Sequence, residues 1–340
     1  MDRWNRSPAD MKLQVPFVQL PLSFDAAALA AEVSQVDESE WRPHPQGFAG
    51  NSMLPLVAAG GDPANESFGG LMRPTPHLRR CPYLMQVLAS LGATVGRTRL
   101  MRLAGQAEVT RHADQGYYWA ERVRVHVPIV TQPTVRFECG EAVVNMAAGE
   151  CWIFDTWRQH RVLNDATQSR IHLVADTVGG PGFWDLVSRG RAVPAQGAPS
   201  FDIAHVAPRE EASRDFACES VNVPRVMNPW ELEKHLGFLF GEAVSHPALP
   251  TLQQQAGRLL REWRGLWFEH GEADSGRARF RQAFDGFQAA VQGPAQDVVL
   301  RNGIRWFDVL QVMLGSVVVQ ATEAQDAGDP AAQRRLGDNA

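Results

Sequence analysis

A mainly β domain followed by a smaller helical module is what this chain predicts, and three observations carry the prediction. Between about Gly50 and Asp176 the sequence breaks into short apolar runs separated by Gly, Pro and Asn, the spacing of an all-β sandwich or barrel. After Asn228-Pro229-Trp230 the apolar residues recur at helical period instead. The chain has 340 residues, more than the ~250–300 at which a single core stops growing, so a second module is expected.

The elements follow in order. Residues 1–12 open the chain; the polar run Met1–Asp10 is expected to be disordered. Phe17–Val33 reads as an apolar strand and then an Ala-rich helix entered at Phe24-Asp25. Strand-like runs follow at Arg122–Val130, Val135–Glu138, Ala142–Met146, Cys151–Asp155 and Ile171–Asp176. Gly179-Gly180-Pro181-Gly182 closes that zone, so the β domain is placed at 13–186. Residues 187–226, rich in Pro, Ala, Ser and charge, read as a linker or wrapping segment. The helical module is placed at 227–322. Leu252, Ala256, Leu259, Leu260, Trp263, Leu266 and Trp267 share one period, and Ile304, Phe307, Leu310, Met313, Leu314 and Val317 another. Residues 323–340 form a polar tail expected to be disordered.

Composition excludes several classes. Net charge is −5 with no block of like charge, which disfavours nucleic acid or an anionic membrane as partner. No stretch is apolar for the ~18 residues that a membrane span needs, and the N-terminus lacks a signal-peptide pattern. Cys81, Cys139, Cys151 and Cys218 are scattered without a CxxC pair. They suggest neither a disulfide framework nor a thiolate zinc site, and a cytoplasmic protein is expected.

The chemistry-bearing residues lie in the β domain. Arg122-Val123-Arg124-Val125-His126-Val127 alternates strictly. Alternate residues of a strand share a face, so Arg122, Arg124 and His126 point one way and the valines the other. The basic face either lies in water or offers two guanidiniums and an imidazole to an anionic ligand. Just upstream, His112-Ala113-Asp114 is an HxD pair, and His160 lies 48 residues after His112. Two histidines and one carboxylate on one face of an octahedron leave three positions open, the arrangement of non-haem Fe(II) oxygenases. A surface turn at 112–114 and a buried structural His160 are the plainer alternative. Arg170, ten residues after His160, could form a paired salt bridge with a dicarboxylic cosubstrate. The turn signal Asn164-Asp165-Ala166-Thr167 is expected to fold the His160 strand back onto the Arg170 strand. His172 lies two residues on, on the same strand face.

Three runs carry a specific resemblance: Arg99-Leu100-Met101-Arg102-Leu103, then His112-Ala113-Asp114 with Arg122–Pro128, then Gly149–Asp155 with the following His160 and Arg170. Together they resemble the aspartyl/asparaginyl β-hydroxylase family, over roughly residues 70–180, and are similar to bacterial L-proline cis-4-hydroxylase. The resemblance implies a double-stranded β-helix, a jelly-roll core with a metal in its mouth. It implies Fe(II) on His112, Asp114 and His160, with 2-oxoglutarate and O2 as cosubstrates. Arg170 would hold the distal carboxylate of 2-oxoglutarate, and His126 and Arg124 would help hold it. Animal members lack the carboxylate of the HxD pair, which is present here as Asp114. The serine that they place near the cosubstrate corresponds to Met101.

The expected activity is hydroxylation of a free amino acid or of a residue in a peptide or protein, with release of succinate and CO2. A halide has no place while Asp114 fills the third protein position. Candidate substrate contacts are Arg122 and His172, the aromatic run Tyr117, Tyr118 and Trp119 read as a loop over the mouth, Trp157 and Arg158 before His160, and Arg73. The alternative is a non-catalytic jelly-roll sensor of a metal or small acid, with the helices as an interaction surface. Monomer and homodimer are both compatible with the apolar helical faces.

Overall fold

The structure is a computed structural model that describes residues 13–45, 47–193, 201–212, 214–220 and 222–320. The segments 1–12 and 323–340, expected to be disordered, lie outside the described residues. The chain divides into two compact units. One comprises the described residues up to Asp114 and those from Glu121 to Asn222; the other comprises Gln115–Ala120 and the described residues from Val223 onward.

The first unit is built from fourteen strands. They are β1 (Phe17–Phe24), β2 (Arg42–Pro43), β3 (Asn51–Ala59), β4 (Met72–Pro74), β5 (Thr94–Leu103), β6 (Ala107–His112) and β7 (Val123–Val130). After them come β8 (Val135–Cys139), β9 (Ala142–Val144), β10 (Glu150–Phe154), β11 (His160–Asn164), β12 (Arg170–Gly179), β13 (Arg191–Val193) and β14 (Ala204–Val206). The larger sheet runs β13-β1-β10-β7-β12-β5-β3-β2, with β14 also on β1 and β4 also on β3. The smaller runs β6-β11-β8-β9. All pairs are antiparallel except β1 with β14.

Alternation explains how the larger sheet is used on both faces. Val123, Val125 and Val127 of β7 enter one core with Leu100, Ile153 and Leu173. Helices α1 (Ala26–Val33), α2 (Pro76–Arg79), α3 (Pro82–Ser90) and α5 (Pro181–Ser188) complete that core through Leu29, Leu78, Leu84 and Phe183. The opposite face meets the smaller sheet: Phe17, Trp152 and Phe154 pack with Val135, Phe137 and Val162. The helix expected after Phe24-Asp25 is α1, and Asp25 caps it by accepting from the Ala28 amide at 2.9 Å. Gly149, before β10, sits at φ +82°, and a Cβ there would meet the Phe24 carbonyl oxygen at 2.3 Å. Only glycine suits that turn.

One sequence expectation needs correction. The turn after Asn164 does not make a hairpin. β11 pairs with β6 and β8 in the smaller sheet, and β12 with β5 and β7 in the larger. Asn164 explains the crossing, because its Nδ2 donates to the Leu103, Ala104 and Gln168 carbonyls. That side chain ties the chain to the end of β5 where a tight hairpin would need it free. Residues 187–226, read as a linker or wrapping segment, contain two short strands. β13 and β14 lie along β1, and the Val95 amide donates to the Ala217 carbonyl at 2.8 Å.

The second unit contains α4 (Tyr117–Ala120), α6 (Pro229–Glu242), α7 (Leu249–His270), α8 (Arg277–Gln292) and α9 (Trp306–Leu314). Asn228 caps α6 by accepting from the Trp230 and Glu231 amides, and Pro229 occupies its first turn. The periodic residues of α7, Leu252 to Leu266, are buried, and Trp263 packs against Phe280 with tilted rings and donates to the Met227 carbonyl. Trp267, on the same predicted face, is only half-buried. Among the described residues no helix is long and apolar enough to cross a membrane.

Candidate metal and cosubstrate site

The site lies between the two sheets of the β unit. A pocket of about 520 Å³, counting its open mouth, is lined by β3, β5, β6, β7, β8, β10, β11 and β12 together with His44 and Phe48.

His112 ends β6 and His160 begins β11, and the two are register partners. Asp114 follows β6, where its amide donates to the Thr156 carbonyl at 2.9 Å. One ligand atom from each of His112, Asp114 and His160 lies within 4.8 Å of the others. Each imidazole is aimed by a backbone carbonyl. His112 Nδ1 lies 2.7 Å from the Thr110 oxygen and His160 Nδ1 2.8 Å from the Arg158 oxygen. A carbonyl can only accept, so Nδ1 carries the proton in both rings and Nε2 keeps its lone pair. Burial, with the neighbouring His112, also holds His160 well below its ordinary pKa, so it stays neutral.

Asp114 is fully buried, and neither of its oxygens accepts a hydrogen bond. Burial raises its pKa, opposed by Arg124, whose Nη1 lies 3.4 Å from Oδ2, and by His112. A buried carboxylate without hydrogen bonds is costly unless a cation completes it. Two imidazole nitrogens and one carboxylate oxygen are the donor set that suits Fe(II) with open positions. The residues therefore fit the metal.

Arg170 opens β12 and lines the same pocket. It is buried, its Nε and Nη1 have no hydrogen-bond partner, and burial pushes its pKa down to about 10. A buried guanidinium in that state matches an incoming carboxylate. Arg124 and His126 also line the pocket, from β7. His126 sits among Phe137, Phe154 and His172, its Nδ1 3.4 Å from that of His172, and burial holds both rings well below the ordinary pKa. His172 stands beside His126 and is not among the lining residues.

The basic face of β7 is thus turned inward, away from water, but it is not all pocket. Arg122 forks onto Glu219, with Nε and Nη2 each at 2.8 Å from a carboxylate oxygen and both side chains buried. That pair occupies the guanidinium expected to meet substrate. Arg73 is exposed on β4, and Arg158 bonds Asp155 and the Gln14 carbonyl. Trp157 is buried, its amide donating to Asp155. Tyr117, Tyr118 and Trp119 form no open loop: they make up most of α4 in the helical unit, and Tyr117 donates to Glu231 at 2.6 Å.

Several lining residues escaped the sequence reading. Arg99, on β5, adds a third arginine to the pocket. Alternation along Arg97-Thr98-Arg99-Leu100-Met101 is the signal that could have found it, since Met101 lines the pocket from the same face. His44 is held down to about 3 by burial and by the charges of Arg99, Arg124 and Arg97. It carried no sequence signal.

Comparison with known proteins adds the following. L-proline cis-3-hydroxylase 1 of a Streptomyces species is 27% identical over 153 residues, which cover 41% of this chain and 50% of that protein. The chain thus spans about half the length of that curated relative. Among solved structures, a Pseudomonas putida prolyl-4-hydroxylase aligns at 17% identity and a TM-score of 0.33, covering 48% of this chain and 92% of that one. HygX from Streptomyces hygroscopicus, with nickel and 2-oxoglutarate bound, aligns at 12% and 0.33, covering 49% and 84%. Residues 30–179, the stretch that holds His112, Asp114, His160 and Arg170, match the family described as aspartyl/asparaginyl beta-hydroxylase.

Proposed function

We propose that the protein is an Fe(II)- and 2-oxoglutarate-dependent dioxygenase that hydroxylates a C–H bond of a free amino acid or of a residue in a peptide or protein. The observation that carries this reading is the nearness of two features to one pocket, which His112, His160 and Arg170 line and beside which Asp114 is buried. One is a His–Asp–His set whose carboxylate accepts no hydrogen bond; the other is Arg170, whose Nε and Nη1 make none.

In this reading His112, Asp114 and His160 hold the iron. Arg170 takes the distal carboxylate of 2-oxoglutarate in a charge-assisted pair. Arg124 and His126 orient the rest of the cosubstrate. When bound, the iron supplies O2 activation: one oxygen atom enters succinate as the 2-oxoacid loses CO2, and the other becomes the hydroxyl of the product. The chain's own part is geometry and dryness. Phe137, Phe154, Val162 and Val174 line the pocket with apolar surface, which limits water around the reacting centre. A non-catalytic sensor would need fewer of these groups, and all four of His112, Asp114, His160 and Arg170 are present in the sequence. A reducing cytoplasm suits the four cysteines, all of which are free thiols.

The test is an anaerobic, iron-loaded preparation screened against amino acids and short peptides, with O2 then admitted and succinate followed. Substrate-dependent succinate release, with O2 and 2-oxoglutarate consumed together, is expected. Failure to consume either would overturn the reading.

A further inference from the structure

Asp176 does not line the pocket, yet it grips a residue that does. Arg124 on β7 and Asp176 on β12 are cross-strand register partners in the larger sheet. Arg124 donates from Nε to Asp176 Oδ1 at 3.0 Å, and its Nη1 lies 3.4 Å from Asp114 Oδ2. The three side chains are buried: 9% of Arg124 is exposed, 1% of Asp176 and none of Asp114. One guanidinium therefore stands between two carboxylates, one of them in the metal set.

The way Arg124 is gripped matters. An arginine meets a lone carboxylate best as a two-pronged fork. Asp176 takes Nε and so holds the guanidinium back, in a position where it approaches Asp114 through a single nitrogen at long range. We infer that Asp176 is a positioning residue for the metal site: it restrains Arg124 from closing on Asp114 and so keeps that carboxylate available to the metal. The inference rests on the reading of His112, Asp114 and His160 as the metal set. Without the Asp176 charge, Arg124 is left with Asp114 as its nearest anion. It forks onto the carboxylate and competes with the incoming cation. Partners behind a metal ligand typically govern affinity by 10–100-fold.

The experiment measures Mn(II) and anaerobic Fe(II) binding to the full chain by titration calorimetry, with circular dichroism melting to verify folding. Asp176→Asn is expected to weaken metal binding by roughly 10–100-fold. Adding Arg124→Gln to it removes the competitor, so the double variant is expected to recover to within about threefold of the unaltered chain. Asp176→Glu keeps the charge and is expected to bind metal nearly normally. A mere loss of packing would not be rescued by a second truncation of the same pair. Unchanged affinity in Asp176→Asn, or a double variant as weak as the single, would overturn the inference. If Asp176→Asn alone fails to fold, the comparison is between Arg124→Gln and the double variant: equal affinities support the inference and a weaker double overturns it. His112→Ala is the control. If the unaltered chain binds no divalent metal, the metal reading itself falls.

Discussion

His112 and His160 face each other across paired strands, with ring centroids 4.3 Å apart and Cα positions in register. The pairing of β6 with β11 thus sets the spacing of the two imidazoles, and the Thr110 and Arg158 carbonyls set their tautomers. Replacing either ring by alanine removes one ligand and leaves the strand pairing intact. His112→Ala and His160→Ala are expected to abolish turnover and to weaken Fe(II) binding sharply while the fold survives. Iron stoichiometry and a melting curve check this; normal iron content with retained activity in either variant would remove the residue from the metal set.

Arg170 predicts a trade between function and stability. Its charge is buried, and burial alone depresses its pKa to about 10, so near pH 7 it stays charged at a cost to the ligand-free protein. Arg170→Ala is expected to raise the Michaelis constant for 2-oxoglutarate far more than that for substrate, with a loss of about 2–5 kcal/mol of binding. Arg170→Met, which fills the same space without charge, is expected to stabilise the ligand-free chain by about 0.5–2 kcal/mol. Denaturant titration without cosubstrate, beside initial rates at varied 2-oxoglutarate, tests both parts. A cosubstrate dependence that does not move would shift the role to Arg124 or Arg99.

What was legible in the sequence depended on the range over which a residue finds its partners. The valines of β7 announce a core face by alternation alone, because the rule is local. His112, Asp114 and His160 were expected together from their spacing and from the family resemblance, and they do cluster, with Arg170 lining the same pocket as the two histidines. The partner of Arg122 was not legible: Glu219 lies 97 residues further on, within a stretch that reads as linker. Nor was the crossing after Asn164, because turn residues mark a change of direction without saying which sheet the next strand joins. Tyr117, Tyr118 and Trp119 looked like a mouth loop because they follow Asp114 closely, whereas α4 belongs with helices more than a hundred residues later.

The Arg122–Glu219 pair supports a prediction about structure. Both partners are buried and the contact is bidentate. Glu219→Gln leaves a buried guanidinium without its counter-charge, a loss of about 3–5 kcal/mol. Arg122→Met with Glu219→Leu removes both charges and is expected to cost much less. Urea midpoints of the two variants give the comparison. Equal destabilisation in both would show that the ion pair itself, and not the orphaned charge, carries the effect.

In the helical unit, Tyr117 predicts a pH-dependent stability. It donates to Glu231, and His235 lies beside both. Burial would raise the Glu231 pKa, but the neighbouring His235, 3.8 Å away, and the bond from Tyr117 outweigh it and hold it below the ordinary 4.5. A carboxylate depressed in the folded state contributes stability above its unfolded value, and that contribution is lost as pH falls through the folded value. Tyr117→Phe is expected to cost about 1.5–3 kcal/mol near pH 7, as a hydrogen bond to a charged group. The difference from the unaltered chain is expected to shrink as pH falls below the ordinary 4.5 and Glu231 becomes protonated. Thermal melts at pH 7, 5 and 3.5 read this directly; a difference that stays constant across that range would show that the carboxylate charge plays no part.

The placement of α4 bears on whether the helical module can be removed. Gln115–Ala120 follow Asp114 directly in the chain but group with the residues from Val223 onward. Tyr117, Tyr118 and Trp119 are buried there, at 6%, 1% and 3% exposure. A fragment ending at Asn222 keeps these three aromatics and loses α6 to α9, so their apolar surface is exposed beginning three residues after Asp114. The fragment is expected to be insoluble, or soluble but unable to bind iron, because the stretch that fixes Asp114 on one side has lost its packing. The competing idea is that the helices form a detachable arm that recruits substrate. On that idea the 1–222 fragment is soluble, binds Fe(II) and 2-oxoglutarate, and forms succinate slowly without substrate. Measuring uncoupled succinate release by the fragment separates the two, and a clear positive would show that Asp114 holds its place without the helices.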